Sequence, residues 1–415
     1  MKRFAYFILG GVAATAATLP ATTPIAPSKD PWYTAPENFQ MSPPGEVLRI
    51  RPAPSLSNLK STFGNISSAY NILFRTTDSH YKPSWAVTTL LLPTHTKNSS
   101  NLLSYQIPYN TPYLDASPSY AIYNSSFTTG LITSDISTAL SKGWSVNIPD
   151  HEGPLAAFTA GITEGHATID SIRAALTTLP SDSKVALWGY SGGSIASQFA
   201  LELSIQYAPE LQNIIVGAAL GGIVPNITAA LPNLVQGSYF AGLIPDALVG
   251  ISREYPEAYT YLLSQLKPET KAKFLSVENS SVLDIFPEFA NETIWEYFKS
   301  GSDFFSAPGA EVISEAWNRD GVQGFHGIPT VPMYIYKAVH DEISLVGDAD
   351  ALVVRECQLG ANILHERNMI GGHLAEETNG DQRALEWLSG VFDGTLKHED
   401  CTIRDVSVNV TDSAL

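Results

Sequence analysis

Short apolar runs bounded by turn residues alternate with longer amphipathic segments along most of the chain. The first pattern is typical of buried strands, and apolar positions three or four residues apart are typical of helices. The predicted strands are 47–51, 69–76, 86–92, 102–107, 144–148, 185–188, 214–220, 331–336 and 362–366. The predicted helices include 161–179, 194–207 and 349–359. This alternation predicts an α/β fold with a mostly parallel central sheet and helices on both faces.

Residues 225–325 interrupt the alternation, because this long stretch has helix-like patterns and many aromatic side chains but no convincing core strand. We interpret it as an inserted helical cap. Its aromatic residues either form the core of the cap or line an acyl site, and their spacing does not distinguish the two. The predicted organisation is a signal peptide at 1–17, an extended lead-in at 18–45, a first core part at 46–224, the cap at 225–325 and a second core part at 326–415.

The N-terminus has the pattern of a secretory signal peptide. Lys2 and Arg3 precede the apolar run 4–12, and an Ala-Thr-Ala cleavage site follows at 14–16. A membrane anchor or a buried helix is the alternative, but the run is too short to span about 30 Å of hydrocarbon. No later stretch approaches the roughly 20 apolar residues of a membrane-spanning helix. We therefore predict a secreted, extracellular protein without a transmembrane segment.

Two further features agree with secretion. The chain has seven Asn-x-Ser/Thr sequons, more than we expect by chance, and several are predicted to be glycosylated. They are Asn65, Asn98, Asn124, Asn226, Asn279, Asn291 and Asn409. The two cysteines, Cys357 and Cys401, are an even pair in an oxidising compartment, which favours one disulfide over two buried free thiols.

Composition and charge exclude several classes of function. The chain has 415 residues, of which 24 are basic and 41 acidic, and its net charge is −17. Such a field repels phosphate backbones and excludes a general nucleic-acid-binding protein. Neither His151-Glu152 nor His365-Glu366 continues as His-Glu-x-x-His, so this zinc motif is missing from the sequence. The sequence implies no cofactor and no metal.

The strongest chemical signal is residues 189–193, Gly-Tyr-Ser-Gly-Gly, which match the pattern Gly-x-Ser-x-Gly. They directly follow the predicted strand 185–188 and directly precede the predicted helix 194–207. This context is typical of a nucleophile elbow, in which small residues allow a tight turn and the serine oxygen stands clear of the sheet. We predict Ser191 as the nucleophile, and a structural turn serine is the alternative.

The base that activates Ser191 is expected to be a histidine on the loop after the final strand. His373 lies in a Gly-Gly-His-Leu loop shortly after the predicted strand 362–366, whereas His365 lies inside that strand. We predict His373 as the general base, with His398 as the main alternative.

The acid of such a triad is expected after the preceding strand, 331–336, and Asp341 lies there. Its neighbour Glu342 is the carboxylate most easily mistaken for it. In acyl transfer His373 would take the serine proton and later protonate the leaving alcohol. Asp341 would fix the tautomer of the imidazole and stabilise its protonated form.

Two donors must stabilise the oxyanion of the tetrahedral intermediate. The backbone N–H of Gly192, directly after the nucleophile, is the first predicted donor. The second is expected on the loop after the strand 102–107, where Asn110 would donate through its backbone or its side chain. The alternative is that Asn110 is a turn residue ahead of Thr111 and Pro112.

At these positions the sequence resembles the fungal secretory lipase family. The matching segments are 30–36, 44–49, 75–79, 83–89, 150–153, 180–187, 189–193, 341–343, 360–363 and 373–374. The resemblance implies an α/β-hydrolase fold, a helical cap over the site and hydrolysis of carboxylic esters. Its triad motifs fall on Ser191, Asp341 and His373, and it implies a disulfide like Cys357–Cys401.

The sequence departs from this family in three places. Asn110 stands where the family has an aspartate on the oxyanion loop, a change that bears on selectivity or pH response. A second cysteine pair is missing, and the loop after 341–343 lacks a nearby proline. Asp150 belongs to a family motif, and we interpret it as a structural capping or turn residue.

Together these features predict a secreted serine ester hydrolase, with a triacylglycerol lipase as the first candidate. The alternative in the same class is a short-acyl esterase or deacetylase of a bulky secondary metabolite or an acetylated polymer. A catalytically inactive binding protein and a peptidase on the same scaffold are further alternatives. The predicted partners are an ester substrate and a lipid–water interface, and the predicted oligomeric state is a monomer.

Overall fold

The computed structural model describes residues 23–95, 101–124, 127, 130–235, 237–398 and 400–410, and the predicted signal peptide and Asn98 lie outside them. Ten strands in this described part form one sheet in the order β1-β2-β3-β5-β4-β6-β7-β8-β9-β10. They are β1 (Val47–Pro52), β2 (Ile66–Thr77), β3 (Pro83–Pro93), β4 (Asn101–Gln106), β5 (Ser145–Pro149), β6 (Lys184–Tyr190), β7 (Ile215–Gly221), β8 (Met333–Ala338), β9 (Ile363–Asn368) and β10 (Thr402–Val406).

The sheet is parallel from β5 through β4 to β10, and β1, β2 and β3 form an antiparallel edge. The turn between β2 and β3 is organised by Asp78, whose Oδ1 accepts hydrogen bonds from the backbone N–H groups of His80 (2.9 Å) and Lys82 (2.7 Å). Aspartate favours turns because it can bond the backbone in this way.

The parallel pairing from β5 through β4 to β10 confirms the predicted mostly parallel α/β sheet.

The helices of the described part are α1 (Leu56–Phe63), α2 (Pro118–Ala121), α3 (Gly130–Ser141), α4 (Gly161–Leu176), α5 (Gly192–Tyr207), α6 (Ile227–Leu234), α7 (Leu243–Glu254), α8 (Pro256–Gln265), α9 (Lys271–Phe274), α10 (Val282–Phe289), α11 (Glu311–Asp320), α12 (Val346–Gln358) and α13 (His373–Asp393). They cover both faces of the sheet. Val185 and Leu187 of β6 belong to the apolar core shared with α4 and α5. Ala186 and Trp188 belong to the core shared with α3 and α13, as the alternation of side chains along a strand requires.

Helices α6 to α11 lie between β7 and β8 in the chain. They pack on one another, chiefly through α7, and their apolar side chains continue the core on the face of α4 and α5. The fully buried aromatic side chains of residues 225–325 include Phe274, Phe289, Phe298, Phe304 and Trp317. Most aromatic residues of this segment therefore form its own core, whereas Phe240 and Phe286 line a cavity described below.

The sheet ends in a strand that the sequence pattern does not reveal. β10 is largely exposed and carries Arg404 and Asp405 at its centre, so it lacks the apolar run that marks the other strands. It pairs in parallel with β9. The expectation that the histidine follows the final strand is therefore wrong, because His373 follows β9 and begins α13, before β10.

The lead-in is not extended throughout. It contains two short 3-10 helices, Pro31–Tyr33 and Phe39–Met41. Asp30 caps the first through a hydrogen bond from the backbone N–H of Trp32 (3.0 Å), and its carboxylate pairs with Arg51 of β1 at 2.7 Å. Asp30 thereby ties the lead-in to the edge of the sheet.

Cys357 at the end of α12 and Cys401 just before β10 form a disulfide, and their Cα atoms are 5.8 Å apart. The alternative of two free thiols is thereby excluded. The two residues are 44 positions apart in the sequence, and the segment between them contains β9 and α13. Closing a loop of this length stabilises the fold by roughly 4 kcal/mol on the chain-entropy model.

Candidate active site

Ser191 lies in the turn between β6 and α5, with φ 51° and ψ −121°. The turn is too tight for side chains on either side of it. A β-carbon on Gly189 would lie 2.1 Å from the carbonyl oxygen of Gly193, and one on Gly193 would lie 1.9 Å from the carbonyl oxygen of Gln106. Glycine is therefore required at both positions, and the half-buried serine is held at the N-terminus of α5.

Ser191, His373 and Asp341 form one hydrogen-bonded chain of side chains. His373 Nε2 lies 2.9 Å from Ser191 Oγ, and His373 Nδ1 lies 2.7 Å from Asp341 Oδ2. A hydrogen bond from Nδ1 to the carboxylate leaves Nε2 as the acceptor for the serine O–H. The three residues follow β6, β9 and β8, so they meet at the carboxyl edge of the parallel strands.

Asp341 is buried but is surrounded by donors. Its Oδ1 accepts hydrogen bonds from the backbone N–H groups of Ile343 and Ser344, both at 2.9 Å. Its Oδ2 accepts a third from Lys337 Nζ at 2.8 Å. Burial by itself raises the pKa of Asp341, but the charges and hydrogen bonds of His373 and Lys337 outweigh it and hold that pKa below its ordinary value. Asp341 is therefore ionised.

Lys337 is a site residue that sequence reasoning missed. It is fully buried on β8, and its Nζ also donates to the carbonyl oxygen of Ile223 at 2.9 Å. Burial lowers the pKa of Lys337, and Asp341 opposes that shift. The sequence does contain one signal, since Lys337 is the single lysine in the otherwise apolar strand Met333–Ala338. Lysine is almost never fully buried without a partner, so a lysine at this position indicates a buried acidic partner.

The backbone of His373 is held on both sides. Its N–H donates to Oε2 of Glu342 at 2.7 Å, and its carbonyl oxygen accepts a hydrogen bond from the Tyr190 hydroxyl at 2.5 Å. Glu342, the neighbour that the sequence sets aside as the acid, thus supports the histidine instead. The ring of Tyr190 also packs near that of His373, with centroids 5.3 Å apart.

The other histidines considered for this role have different partners. His398 packs edge-on against Trp387 of α13, with ring centroids 5.7 Å apart. His365 is buried in β9, where its Nε2 lies 3.1 Å from Asp350. Of the three candidates, His373 is the one in hydrogen-bond contact with Ser191.

Asn110 and Gly192 lie against each other beside Ser191. A β-carbon on Gly192 would lie 1.9 Å from Asn110 Oδ1, so only glycine leaves room for this amide. Asn110 is buried with φ 46°, and its Oδ1 has no hydrogen-bond partner in the described part of the chain. A half-turn of the amide exchanges Oδ1 and Nδ2, so the same position can present a donor.

Two cavities meet at Ser191. The first, which we call the inner chamber, is a narrow space of about 40 Å³ between the elbow and helices α6 and α7. Apart from Asn110, Thr159, Ser191 and Gly192 its lining is apolar: Phe158, Ile195, Val224, Ile227, Ala230, Leu234, Leu243, Ile244, Ala247 and Ile343. The second, which we call the outer cavity, is lined by Phe127, Ile132, Phe240, Val282, Leu283, Phe286, His373 and Glu377, among others.

A wider depression, which we call the polar groove, adjoins the outer cavity and has a volume of about 770 Å³. Phe127 and Leu283 line both, so the two spaces are adjacent. The groove is lined in addition by Asn58, Tyr113, Asp115, Tyr120, Tyr123, Ser281 and Asp284. The nucleophile therefore lines two cavities, and the outer one adjoins a polar surface groove.

Among the sequons, Asn65, Asn124, Asn279, Asn291 and Asn409 are exposed, and Asn226 caps α6 by accepting a hydrogen bond from the backbone N–H of Ala229 (3.1 Å). Within the described residues, no helix combines the length and the apolar character needed to cross a membrane. The described part also has no group of three or more His, Cys, Asp and Glu residues placed to hold a metal ion.

A serine elbow at the carboxyl edge of a mostly parallel sheet, a histidine in contact with the serine and an apolar cavity beside it define an α/β-hydrolase that hydrolyses carboxylic esters. The sequence profile of the secretory lipases matches residues 121–399. The chain therefore belongs to the secretory lipase family.

Individual relatives support the same class. The chain is 43% identical to a trichothecene C-3 esterase of Fusarium sporotrichioides over 420 residues, which cover 96% of this chain and 92% of that protein. It is 39% identical to lipase A of Arthroderma benhamiae over 394 residues, which cover 91% and 82% of the two chains. The crystal structure of Candida antarctica lipase A matches with a TM-score of 0.82 at 29% identity, covering 94% of this chain and 91% of that one.

Proposed function

We propose that ester hydrolysis proceeds through an acyl-enzyme on Ser191, with His373 as general base and acid and Asp341 as its orienting partner. The observation that carries the proposal is the 2.9 Å contact between His373 Nε2 and Ser191 Oγ. His373 takes the serine proton as Oγ attacks the acyl carbon, and it gives the proton to the departing alcohol. Water then attacks the acyl-enzyme with the same help and releases the acid.

The oxyanion would be bound by the backbone N–H of Gly192 and by Asn110. The position of Gly192 at the start of α5 supports its role, because the first N–H groups of a helix have no partner within the helix. Oδ1 of Asn110 is unpaired and lies directly against Gly192, and a half-turn of the amide would present Nδ2 there as the second donor. Each such donor is worth about 10²–10³ in kcat in comparable sites.

For the substrate, we propose an ester with a medium or long acyl chain, which makes a lipase the first candidate. The inner chamber starts at Gly192, beside the nucleophile, and its lining is almost entirely apolar. Each buried CH₂ group contributes about 0.8 kcal/mol, so a longer chain gains binding energy there that an acetyl group does not.

The test is hydrolysis of p-nitrophenyl acetate, butyrate, octanoate and palmitate and of emulsified triolein, by wild type and Ser191→Ala. We expect turnover to favour the long esters and to be lost in Ser191→Ala. Ala230→Phe fills the chamber and should remove the preference for long chains while sparing acetate. Ala229→Phe is the matched control, since Ala229 is its neighbour on α6 and does not line the chamber. A preference for acetate in wild type would contradict the lipase proposal.

The second candidate is an esterase that removes a short acyl group from a bulky, hydroxylated alcohol. It is favoured by the 43% identity to the trichothecene C-3 esterase and by the polar groove, which is large enough for a multi-ring alcohol. In this case an acetate of a polycyclic alcohol should be cleaved with a much lower KM than p-nitrophenyl acetate. Equal KM values for the two acetates would exclude the second candidate.

We also propose that residues 225–325 act as a cap over the site and that the mature protein is a secreted, glycosylated monomer. Helix α7 lines both cavities, α6 lines the inner chamber and α10 lines the outer cavity, which supports the cap. The exposure of five sequons supports glycosylation. Endoglycosidase treatment of the protein from the culture medium should lower its apparent mass, and light scattering should give the mass of one chain.

A further inference from the structure

The outer cavity contains one acidic side chain that the triad does not use. Glu377 lines this cavity together with Ser191 and His373. It lies four residues after His373 on α13, so the two side chains lie on the same face of the helix, one turn apart. Apart from Asn110, Tyr190 and these three residues, the lining of the cavity is apolar. A carboxyl group is therefore placed inside the substrate cavity, one helical turn from the general base.

Glu377 has no partner within the described part of the chain. Its half-buried side chain makes no hydrogen bond and no ion pair with another described residue. Arg383, the one arginine on α13, is already occupied, since it pairs with Glu366 and with Glu376 (2.9 Å). Removing a polar group from water without giving it a partner costs free energy. An unpaired carboxyl group inside a cavity therefore indicates that the bound molecule supplies the partner.

The other polar side chains of the outer cavity are engaged in the reaction centre. Ser191 and His373 contact each other, with 2.9 Å between Oγ and Nε2. The Tyr190 hydroxyl donates to the carbonyl oxygen of His373 at 2.5 Å. Asn110 lies against Gly192, in the position of the proposed oxyanion donor. Glu377 is thus the polar side chain of this cavity that remains for a part of the substrate away from the ester bond.

The two cavities divide the ester between them. The inner chamber is almost entirely apolar and is the proposed place of the acyl chain. The outer cavity, which adjoins the polar groove, is left for the alcohol part. Burial raises the pKa of Glu377 and favours its protonated form, although the charge of His373 opposes this shift. A protonated carboxyl group both donates and accepts hydrogen bonds, as a hydroxyl group does, so the two groups fit each other.

We propose that Glu377 is a specificity-determining residue that hydrogen-bonds a free hydroxyl group on the alcohol part of the ester. The preferred substrates are then esters of diols and polyols in which one hydroxyl group remains free. Both a partly acylated glycerol and an acylated multi-ring alcohol with further hydroxyl groups belong to this class. The same bond is present before and during the reaction, so it lowers KM more than it raises kcat. This inference rests on the proposed function at Ser191 and on the proposed place of the acyl chain.

The test compares 3-hydroxypropyl butyrate with n-butyl butyrate. The two esters have the same shape, and a hydroxyl group in the first replaces the terminal methyl group of the second. We expect wild type to prefer the hydroxy ester. In Glu377→Leu the ratio of the two kcat/KM values should fall about tenfold, chiefly through KM of the hydroxy ester. Glu377→Gln keeps a donor and an acceptor, so it should retain most of the ratio.

The ratio separates specificity from a structural role. Both esters are measured on the same preparation, so a loss of folded protein lowers both rates and leaves the ratio unchanged. Glu386→Leu is the matched control: it makes the same change on α13, where Glu386 is exposed, accepts from Gln382 (3.0 Å) and does not line the cavity. Its ratio should equal that of wild type.

Equal kcat/KM values for the two esters in wild type would overturn the inference, and so would the wild-type ratio in Glu377→Leu. Either result leaves the proposed function intact as long as hydrolysis disappears in Ser191→Ala. Hydrolysis that persists in Ser191→Ala would instead refute the proposed function.

Discussion

Two clusters of buried carboxyl groups lie near Ser191, and they differ in protonation. One cluster is ionised, and the other is neutral. In the ionised cluster, Asp341 lies between His373 and Lys337, which hold its pKa below the ordinary value despite burial. The bonds of 2.7 and 2.8 Å to these partners are charge-assisted and short.

In the neutral acid cluster, Glu152, Glu164 and Asp246 lie on the side of the oxyanion loop and the inner chamber. All three are fully buried, and burial is the main cause that raises the pKa of each, to about 8 for Glu164 and well above the ordinary value for the other two. No cationic side chain is hydrogen-bonded to any of them in the described part of the chain.

Burial alone therefore does not decide the charge of a carboxyl group in this protein, because the partner of the group does. The contrast also suits the chemistry. The carboxylate that stabilises an imidazolium must be ionised, whereas acids beside an oxyanion hole must stay neutral so that they do not oppose the developing charge. Substitutions in either cluster and changes of pH should alter activity and stability differently for the two clusters. The largest effect is expected where the ionised cluster loses a charge.

Asp341→Asn removes the charge of the ionised cluster and keeps its shape. We expect kcat to fall about 10⁴-fold, or about 5.4 kcal/mol, because the imidazole loses its correct tautomer and the charge that stabilises its protonated form. Steady-state kinetics on p-nitrophenyl butyrate measures this. Glu342→Gln is the control: it keeps the acceptor for the His373 N–H, so it should retain most activity, and an equal loss there would contradict the assignment of the acid.

Lys337→Met removes the cation from the same cluster. The free energy of unfolding should fall by about 3 kcal/mol, because Asp341 and the Ile223 carbonyl lose a buried donor. Urea unfolding at neutral pH measures the change. In the background of Asp341→Asn the same substitution should cost clearly less, and a fully additive cost would show that the pair is not coupled.

The two clusters should change the free energy of unfolding in opposite directions as the pH rises. Glu164, whose pKa is raised to about 8 by burial, keeps its proton in the folded chain after the unfolded chain has lost it near its ordinary pKa of about 4. Its stabilisation is complete below about pH 4 and is lost as pH rises through about 8. The group loses about 1.4 kcal/mol of stabilisation for every pH unit between its unfolded and its folded pKa.

Asp341 acts in the other direction, because its folded pKa is lowered. Its stabilisation is present above about pH 4 and is lost as pH falls below that value. The free energy of unfolding should therefore peak near about pH 4–5 and decline toward about pH 8. Urea titrations across this range test the profile, and stability that rises from about pH 5 to 8 would refute the neutral state of the second cluster.

Glu164→Gln gives the smallest effect at acidic pH. Glutamine keeps an acceptor for the Thr159 N–H, so stability near about pH 4 should change by less than about 0.5 kcal/mol. At about pH 8 the variant should be more stable than wild type, because it has no proton to lose. Parallel denaturation curves at the two pH values test this, and identical pH dependence in both proteins would exclude Glu164 as a titrating group.

The main parts of this arrangement could be predicted from the sequence because their positions depend on chain order. Ser191 and Asp341 each follow a strand with a clear apolar run, His373 follows β9, which begins with Ile363 and Leu364, and the carboxyl ends of parallel strands meet at one edge. The turn glycines could also be predicted, because a tight turn requires small residues at neighbouring positions in the sequence.

The remaining parts depend on contacts between distant segments. Glu152 meets the loop of Tyr109 and Asn110 because β4 and β5 pair side by side and parallel, a pairing that no periodicity reveals. Lys337 differs from a surface lysine only in its burial, which depends on β7 and β9 packing beside it. β10 is exposed and charged, and its pairing with β9 replaces the apolar signal that the other strands carry.

The disulfide should allow the enzyme to tolerate a single cut in its chain, which the fold alone would not ensure. Cys357 and Cys401 enclose His373 and all of α13 in one covalent ring. If a protease cuts the chain once inside that ring, both fragments stay linked, and the piece that carries the histidine cannot diffuse away from Ser191. A nicked molecule should thus remain one particle until a reductant is added.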